Sequence, residues 1–214
     1  MSETVDVFWS FRSPYSYLVT PDLLKLKQDY DVDVHLRVVF PIAIRTKKTL
    51  FNKDNRIPAM YIVMDSIRRA EYLGLPFTWP NPDPIVQNFE TLEVADEQPY
   101  IYRLSALGVE AQRQDKGVEF AAAVSRLIFG GTAQWDQGDH LRSAASDLGL
   151  DLAAMDAAIA DGDHLKSIEQ NHEELEKIGH WGVPTMAVRG EPFFGQDRID
   201  TLRWRLDKLG VARR

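Results

Sequence analysis

Strand-like and helix-like spacings of apolar residues succeed one another along the chain. Val5-Asp6-Val7-Phe8-Trp9-Ser10-Phe11 is β-prone and partly alternating, which predicts a buried first strand ended at Arg12 and Ser13. Pro14 suits the first turn of a helix with Ser13 as its N-cap, and Leu18, Leu23, Leu24 and Leu26 supply an apolar stripe. A kink is expected at Pro21, whose ring clashes with the preceding turn. A second strand over Val34-His35-Leu36-Arg37-Val38-Val39-Phe40 completes a β-α-β unit before Pro41 interrupts the pairing.

The middle of the chain is helical in pattern. From Pro58 to Gly74, Met60, Val63, Met64, Ile67 and Ala70 recur at helical spacing, and segments 98–108, 115–129, 139–148, 151–160 and 163–178 repeat that behaviour. Asp139 and Asp151 are the expected N-caps, and Gly149 and Gly179 the residues just past helix ends. Pro76, Pro80, Pro82 and Pro84 exclude helix and central strand, so an ordered loop is expected there. Thr185-Met186-Ala187-Val188, a turn at Arg189-Gly190-Glu191 and Pro192-Phe193-Phe194 predict a hairpin. Asp197 then opens a last helix that turns Ile199, Leu202, Leu206 and Leu209 to the sheet. The expected order is β-α-β, a helical block, then β-β-α. This is an α/β fold in which residues 1–45 and 180–214 form one domain around a helical insertion domain of residues 46–179.

Composition narrows the function. With 44% hydrophobic and 27% charged residues in 214, the chain is of ordinary globular type. No apolar run approaches the roughly 20 residues of a membrane span, and the start lacks a basic region followed by an apolar one, so a cytoplasmic protein without a membrane partner is expected. The net charge of −7 repels phosphate backbones and argues against a nucleic-acid partner. The absence of cysteine removes disulfides, thiolate metal sites and a cysteine nucleophile. His35, His140, His164, His172 and His180 show no ligand spacing on one helix face, so no metal site is expected, and His172 falls in the packed register of its helix. There is no Gly-rich phosphate loop and no Ser-His-Asp motif.

Three segments carry candidate chemistry. Ser13-Pro14-Tyr15-Ser16 stands where a first strand becomes a first helix, the place where thiol oxidoreductases put Cys-x-x-Cys because the helix start stabilises a thiolate. Two serines cannot cycle through a disulfide, but a serine hydroxyl can hydrogen-bond a sulfur that arrives with a ligand. The alternative is that Ser13 is a helix cap and nothing more. Val183-Pro184-Thr185 begins the late hairpin; a cis proline there would free the preceding backbone groups to pair with an extended peptide, whereas a trans proline would only mark a strand start. Asp197 either caps the last helix or holds the α-amino group of a peptide. Arg45, Lys47, Lys48, Lys53 and Arg56 form a basic run suited to a carboxylate or to solvent, and Trp181 is either core or pocket wall.

Taken in this order, Phe11-x-Ser13-Pro14-Tyr15-Ser16-Tyr17-Leu18, Gly182-Val183-Pro184-Thr185 and Phe194-Gly195-Gln196-Asp197-Arg198 resemble the 2-hydroxychromene-2-carboxylate isomerases and kappa-class glutathione transferases, both of the DsbA-like thioredoxin group. The resemblance implies a thioredoxin-like fold with a large helical insertion and glutathione as cofactor. It implies that Ser13 contacts the glutathione sulfur, that Val183 and Pro184 pair with the cysteinyl unit, and that Gln196 and Asp197 hold the γ-glutamyl end. The family Asn has two candidates here, Asn52 and Asn55. Tyr61 and Asp65 keep the family's Tyr-x-x-x-Asp spacing, but Pro58 stands where the family has a Lys, with Lys53 or Arg56 as replacements. The implied activity is glutathione-dependent isomerisation of an aromatic or unsaturated carboxylate by a homodimer. Its alternatives are a kappa-like glutathione transferase and a redox-inactive peptide-binding module.

Overall fold

The computed structural model describes residues 2–45, 56–88, 90, 91 and 93–214. β1 (Glu3–Trp9) leads through α1 (Pro14–Leu18) and α2 (Thr20–Asp29) to β2 (Val32–Val38), followed by α3 (Ile42–Arg45). α4 (Ile57–Leu73), α5 (Ile101–Arg113), α6 (Gly117–Phe129), α7 (His140–Ser146), α8 (Leu152–Asp161) and α9 (His164–Lys177) make the helical block. β3 (Thr185–Val188), β4 (Glu191–Phe194) and α10 (Ile199–Lys208) close the chain. The strands form one sheet in the order β2-β1-β3-β4. β1 runs parallel to β2, with Val5 beside Val34, and antiparallel to β3, with Phe8 beside Thr185. This is the thioredoxin-like order with a helical insertion that the sequence leads one to expect.

One face of β1 is buried from Val5 onward and the other only toward its end, at Phe8, with alternate residues facing opposite sides. Val5, Val7 and Trp9 enter the main core, while Phe8 turns the other way to Val39, Leu175 and Ala187. The main core runs without interruption from the sheet into the helical block, because α5 and α6 lie against β2. Gly108 in α5 lets that helix come close, since a β-carbon there would lie 2.8 Å from the Phe11 ring and 2.9 Å from Val38.

The helix following β1 divides at Val19 into α1 and α2, next to the proline where a kink is expected. The proline-rich loop is ordered by side chains from the surrounding elements. Tyr17 donates its hydroxyl to the Pro76 carbonyl at 2.7 Å, Trp135 donates its indole N–H to the Pro82 carbonyl at 2.8 Å, and Arg12 pairs with Asp83 at 2.6 Å.

Three local expectations change. Asp151 accepts from the Ala153 and Ala154 N–H groups and caps α8, but Asp139 makes no cap bond to α7; its backbone sits at φ −100°, ψ 9° rather than in the extended region a capping side chain needs, and its carboxylate faces Arg142. Asp197 does not open α10 either. The positive φ of Gly195 turns the chain, and the helix begins two residues after Asp197 with Arg198 at its N-cap position and no side-chain cap bond. The short helix α3 after Pro41 has no counterpart in the sequence pattern.

Candidate active site

Ser13 ends the link from β1 with extended backbone, φ −88° and ψ 115°, the conformation from which a serine side chain reaches back over a helix start. Its Oγ accepts from the Ser16 N–H at 3.2 Å and lies 3.4 Å from the Val183 carbonyl, to which it donates. Ser13 is therefore a helix cap and also faces the loop 170 residues away. The Val183–Pro184 peptide is cis. Its carbonyl side leads into the sheet, since the Pro184 C=O accepts from the Gly195 N–H at 2.9 Å. That bond seats the turn carrying Gln196 and Asp197 beside the proline. Ser13, Val183, Pro184, Gln196 and Asp197 thus lie along one connected stretch at the end of the sheet. Asn52 and Asn55, with Lys47, Lys48 and Lys53, lie outside the described residues.

Gln196 is buried and Asp197 exposed. The Asp197 carboxylate makes no cap bond, and among the described residues it pairs with the Arg198 guanidinium at 3.5 Å. Gln196 Oε1 accepts from Arg69 Nε at 2.8 Å. Arg69 comes from α4, the same helix that presents Asp65 one turn earlier, and Asp65 Oδ2 accepts the Tyr15 hydroxyl at 2.7 Å. Residues four apart share a helix face, so one face of α4 borders both the Ser13 turn and the Gln196 loop. Neither contact was visible in the sequence, although the Tyr61 and Asp65 spacing marks the helix that makes them.

Electrostatics keep the site in a defined protonation state. Burial pushes the Tyr15 hydroxyl above the ordinary phenol range, and the neighbouring Asp65 charge pushes it the same way, so Tyr15 stays protonated as a donor. Burial alone would raise Asp65, but hydrogen bonds from Arg68 and Tyr15 outweigh it and hold the carboxyl below its usual value. Of the basic run, Arg45 donates to the Trp181 carbonyl at 2.7 Å and Arg56 to the Glu90 carbonyl. Trp181 is 48% exposed and stacked on His180, which stacks in turn on Phe194, so it lies at the surface and not in the core. His172 packs as expected: its Nε2 accepts the Phe40 N–H at 2.8 Å. Among the described residues no group of three or more His, Asp or Glu could hold a metal ion, and no helix is long and apolar enough to cross a membrane.

Ser13 offers a hydroxyl, Val183 a backbone carbonyl, Gln196 an amide and Asp197 an exposed carboxylate beside Arg198.

A family model described as a DSBA-like thioredoxin domain matches residues 4–207. The chain belongs to that family. Among DsbA-like proteins, it is 28% identical to a 2-hydroxychromene-2-carboxylate isomerase of Pseudomonas putida over 96% of this chain and 95% of that one. It is also 28% identical to a protein of the same name from Sphingobium xenophagum, over 94% and 97% of the two chains. A solved 2-hydroxychromene-2-carboxylate isomerase superposes with a TM-score of 0.73 at 21% identity, covering 96% of this chain and 95% of the other. The cytosolic disulfide reductase DsbM of Pseudomonas aeruginosa, solved with GSH, shares the DsbA-like fold at a TM-score of 0.63 and 17% identity, covering 95% and 99%.

Proposed function

We propose that this DsbA-like protein is a glutathione-dependent isomerase of the 2-hydroxychromene-2-carboxylate isomerase type, acting on an aromatic or unsaturated carboxylate. The observation that carries the proposal is the Ser13 hydroxyl, 3.4 Å from the carbonyl of the cis-proline loop where a dithiol enzyme would present a cysteine. The names of the two relatives aligned over nearly the whole chain support the reaction type.

Glutathione would supply a thiolate able to add reversibly to a conjugated carbon, which turns a double bond into a single bond and allows cis–trans exchange. The chain's part is to bind and orient. The Ser13 hydrogen bond to Val183 is long, so the hydroxyl can turn to a sulfur while its oxygen keeps the Ser16 N–H. One donor of this kind favours thiolate over thiol. Ser13 acts as a donor and not as a nucleophile: its hydroxyl bonds the Val183 carbonyl, while the nearby Asp65 carboxylate is engaged by Tyr15 and Arg68 and does not bond it. The Val183 backbone offers the edge for the cysteinyl unit. Gln196 and Asp197 take the γ-glutamyl end, with Asn52 or Asn55 completing the cofactor contacts. Trp181 walls the side where an aromatic substrate would lie.

The proposal extends to a division into a thioredoxin-like domain, residues 1–45 and 180–214, and a helical insertion domain, residues 46–179. It includes a cytoplasmic setting, where glutathione is kept reduced. It also includes a homodimer, supported by α4, which leaves Met60, Met64 and Ile67 exposed on one face. The direct test is calorimetry with reduced glutathione followed by an assay for 2-hydroxychromene-2-carboxylate isomerisation with and without it. Binding and glutathione-dependent turnover are expected; turnover unchanged by removing glutathione overturns the proposal.

A further inference from the structure

α4 carries two adjacent arginines with different fates. Arg68 is neutralised by Asp65 three residues before it. Arg69 forms no ion pair with any carboxylate among the described residues; its Nε donates to Gln196 Oε1 at 2.8 Å, and its guanidinium lies 4.8 Å over the Tyr72 ring. A partly buried cation with no carboxylate in direct contact, although Asp22 lies within reach of its charge, held beside a binding loop, suits an anion that arrives with a ligand.

The contact also orients Gln196. A guanidinium has donors and no acceptor, so the amide atom facing it must be the oxygen. Gln196 is only 8% exposed, so little of its amide is open to water. With Oε1 engaged by Arg69, the two N–H bonds of Nε2 point away from α4, and no acceptor among the described residues takes them. Beside them stands the exposed Asp197 carboxylate, unused as a cap. The loop thus offers donors and a cation on one side and an acceptor anion on the other. That pattern complements an α-amino acid zwitterion, whose carboxylate needs donors and whose ammonium needs an acceptor.

We propose that Arg69 is a specificity-determining residue that selects the free α-carboxylate of a γ-glutamyl group, by locking the Gln196 amide with its N–H groups toward that carboxylate and by adding its own charge. This rests on the glutathione reading and adds the residue that would make the site select an amino-acid end over a plain amine. Because Arg69 belongs to the helix that also holds Tyr15 through Asp65, the same face of α4 would read the cofactor's end and brace the turn holding its sulfur.

The test compares three thiols by calorimetry: glutathione, its 4-aminobutyryl analogue, which keeps the amine and lacks the α-carboxylate, and its glutaryl analogue, which keeps the carboxylate and lacks the amine. Arg69→Ala is expected to weaken glutathione and the glutaryl analogue at least tenfold and to leave the 4-aminobutyryl analogue within about twofold of wild type. Gln196→Glu keeps a partner for Arg69, so it should fold, but it turns two donors into acceptors. It should likewise lose glutathione at least tenfold while sparing the 4-aminobutyryl analogue. Asp197→Ala should show the opposite selectivity, sparing the glutaryl analogue. Equal losses for all three thiols in Arg69→Ala and Gln196→Glu, or no loss for glutathione, overturn the proposal while glutathione binding by wild type stands. Failure of wild type to bind any of the three removes the glutathione reading and this inference with it.

Discussion

The Tyr15 hydroxyl donates a 2.7 Å hydrogen bond to Asp65 Oδ2, joining the first turn of α1 to the middle of α4 across 50 residues of sequence. The active turn therefore takes its position from the helical insertion as well as from the sheet. Tyr15→Phe keeps the ring and removes the bond, and it is expected to destabilise the protein by about 1.5–2 kcal/mol, the lower part of the range for a hydrogen bond to a charged group because the pair is partly open to solvent. A double-mutant cycle with Asp65→Asn should show a coupling on the order of 1 kcal/mol in urea unfolding. Asp65 is held below its usual pKa, so this stability is full above the ordinary carboxylate range and is lost only as pH falls through the depressed value. Additive single-mutant effects would mean that the turn stands without α4.

Gly108 separates two opposing effects. In an exposed helix, Gly→Ala stabilises by about 1 kcal/mol. Here the added methyl would lie 2.8 Å from the Phe11 ring, which is fully buried and edge-on to Phe120 at 6.3 Å, and 2.9 Å from Val38. Overpacking of that kind costs about 1–3 kcal/mol, so it should win. Gly108→Ala is expected to lower stability in urea unfolding, with a weakened glutathione affinity because Phe11 lies two residues before Ser13. A more stable variant would show that α5 can move off β2 freely.

His172 gives a pH signature. Its pKa is lowered to about 4, first by burial and then by the nearby Arg45 charge. Because Nε2 accepts the Phe40 N–H, the neutral ring is the form that packs. The unfolded chain protonates this residue near pH 6.5 and the native state only near 4. Its contribution is therefore full above 6.5 and is lost as pH falls from there toward 4, by about 1–2 kcal/mol once solvent screening of the partly open ring is allowed for. His172→Gln should flatten that part of the stability profile. A nuclear magnetic resonance titration giving His172 a pKa above 6 would contradict the packing.

Such differences show what a linear pattern carries. The helices of the insertion were legible because 3.6-residue spacing records an apolar face directly; α5 and α6 bury theirs through Leu104 and Val124, whereas the stripe that marks α4 leaves Met60, Met64 and Ile67 exposed and buries Ala70. Caps were legible by residue type but not by backbone: Asp151 and Asp139 look alike in sequence, and only Asp151 has the extended conformation that lets its carboxylate turn back. The core of the site, Ser13 with Val183 and Pro184, was legible only through resemblance to known families, since nothing local ties residues 170 apart. Arg69 left no signal at all. An arginine on a helix reads as a solvated charge until the loop 127 residues later is placed against it.

Ser13 supplies two separable things: a cap bond to the Ser16 N–H at 3.2 Å and a hydroxyl proton aimed at the Val183 carbonyl at 3.4 Å. Ser13→Ala removes both. Loss of the cap should lower stability by about 0.5–2 kcal/mol whether or not glutathione is present. Loss of the donor should act only on bound thiol, whose pKa, depressed from roughly 8.5 in the wild-type complex, should rise toward that value. Turnover near neutral pH should then fall in proportion to the thiolate fraction and recover as pH is raised, which a purely structural defect would not do. The measurement is the ultraviolet absorbance of the glutathione thiolate titrated against pH in complex with wild type and with Ser13→Ala. Coincident curves would leave Ser13 as a helix cap, and a covalent substrate adduct on Ser13 in mass spectrometry would make it the nucleophile instead.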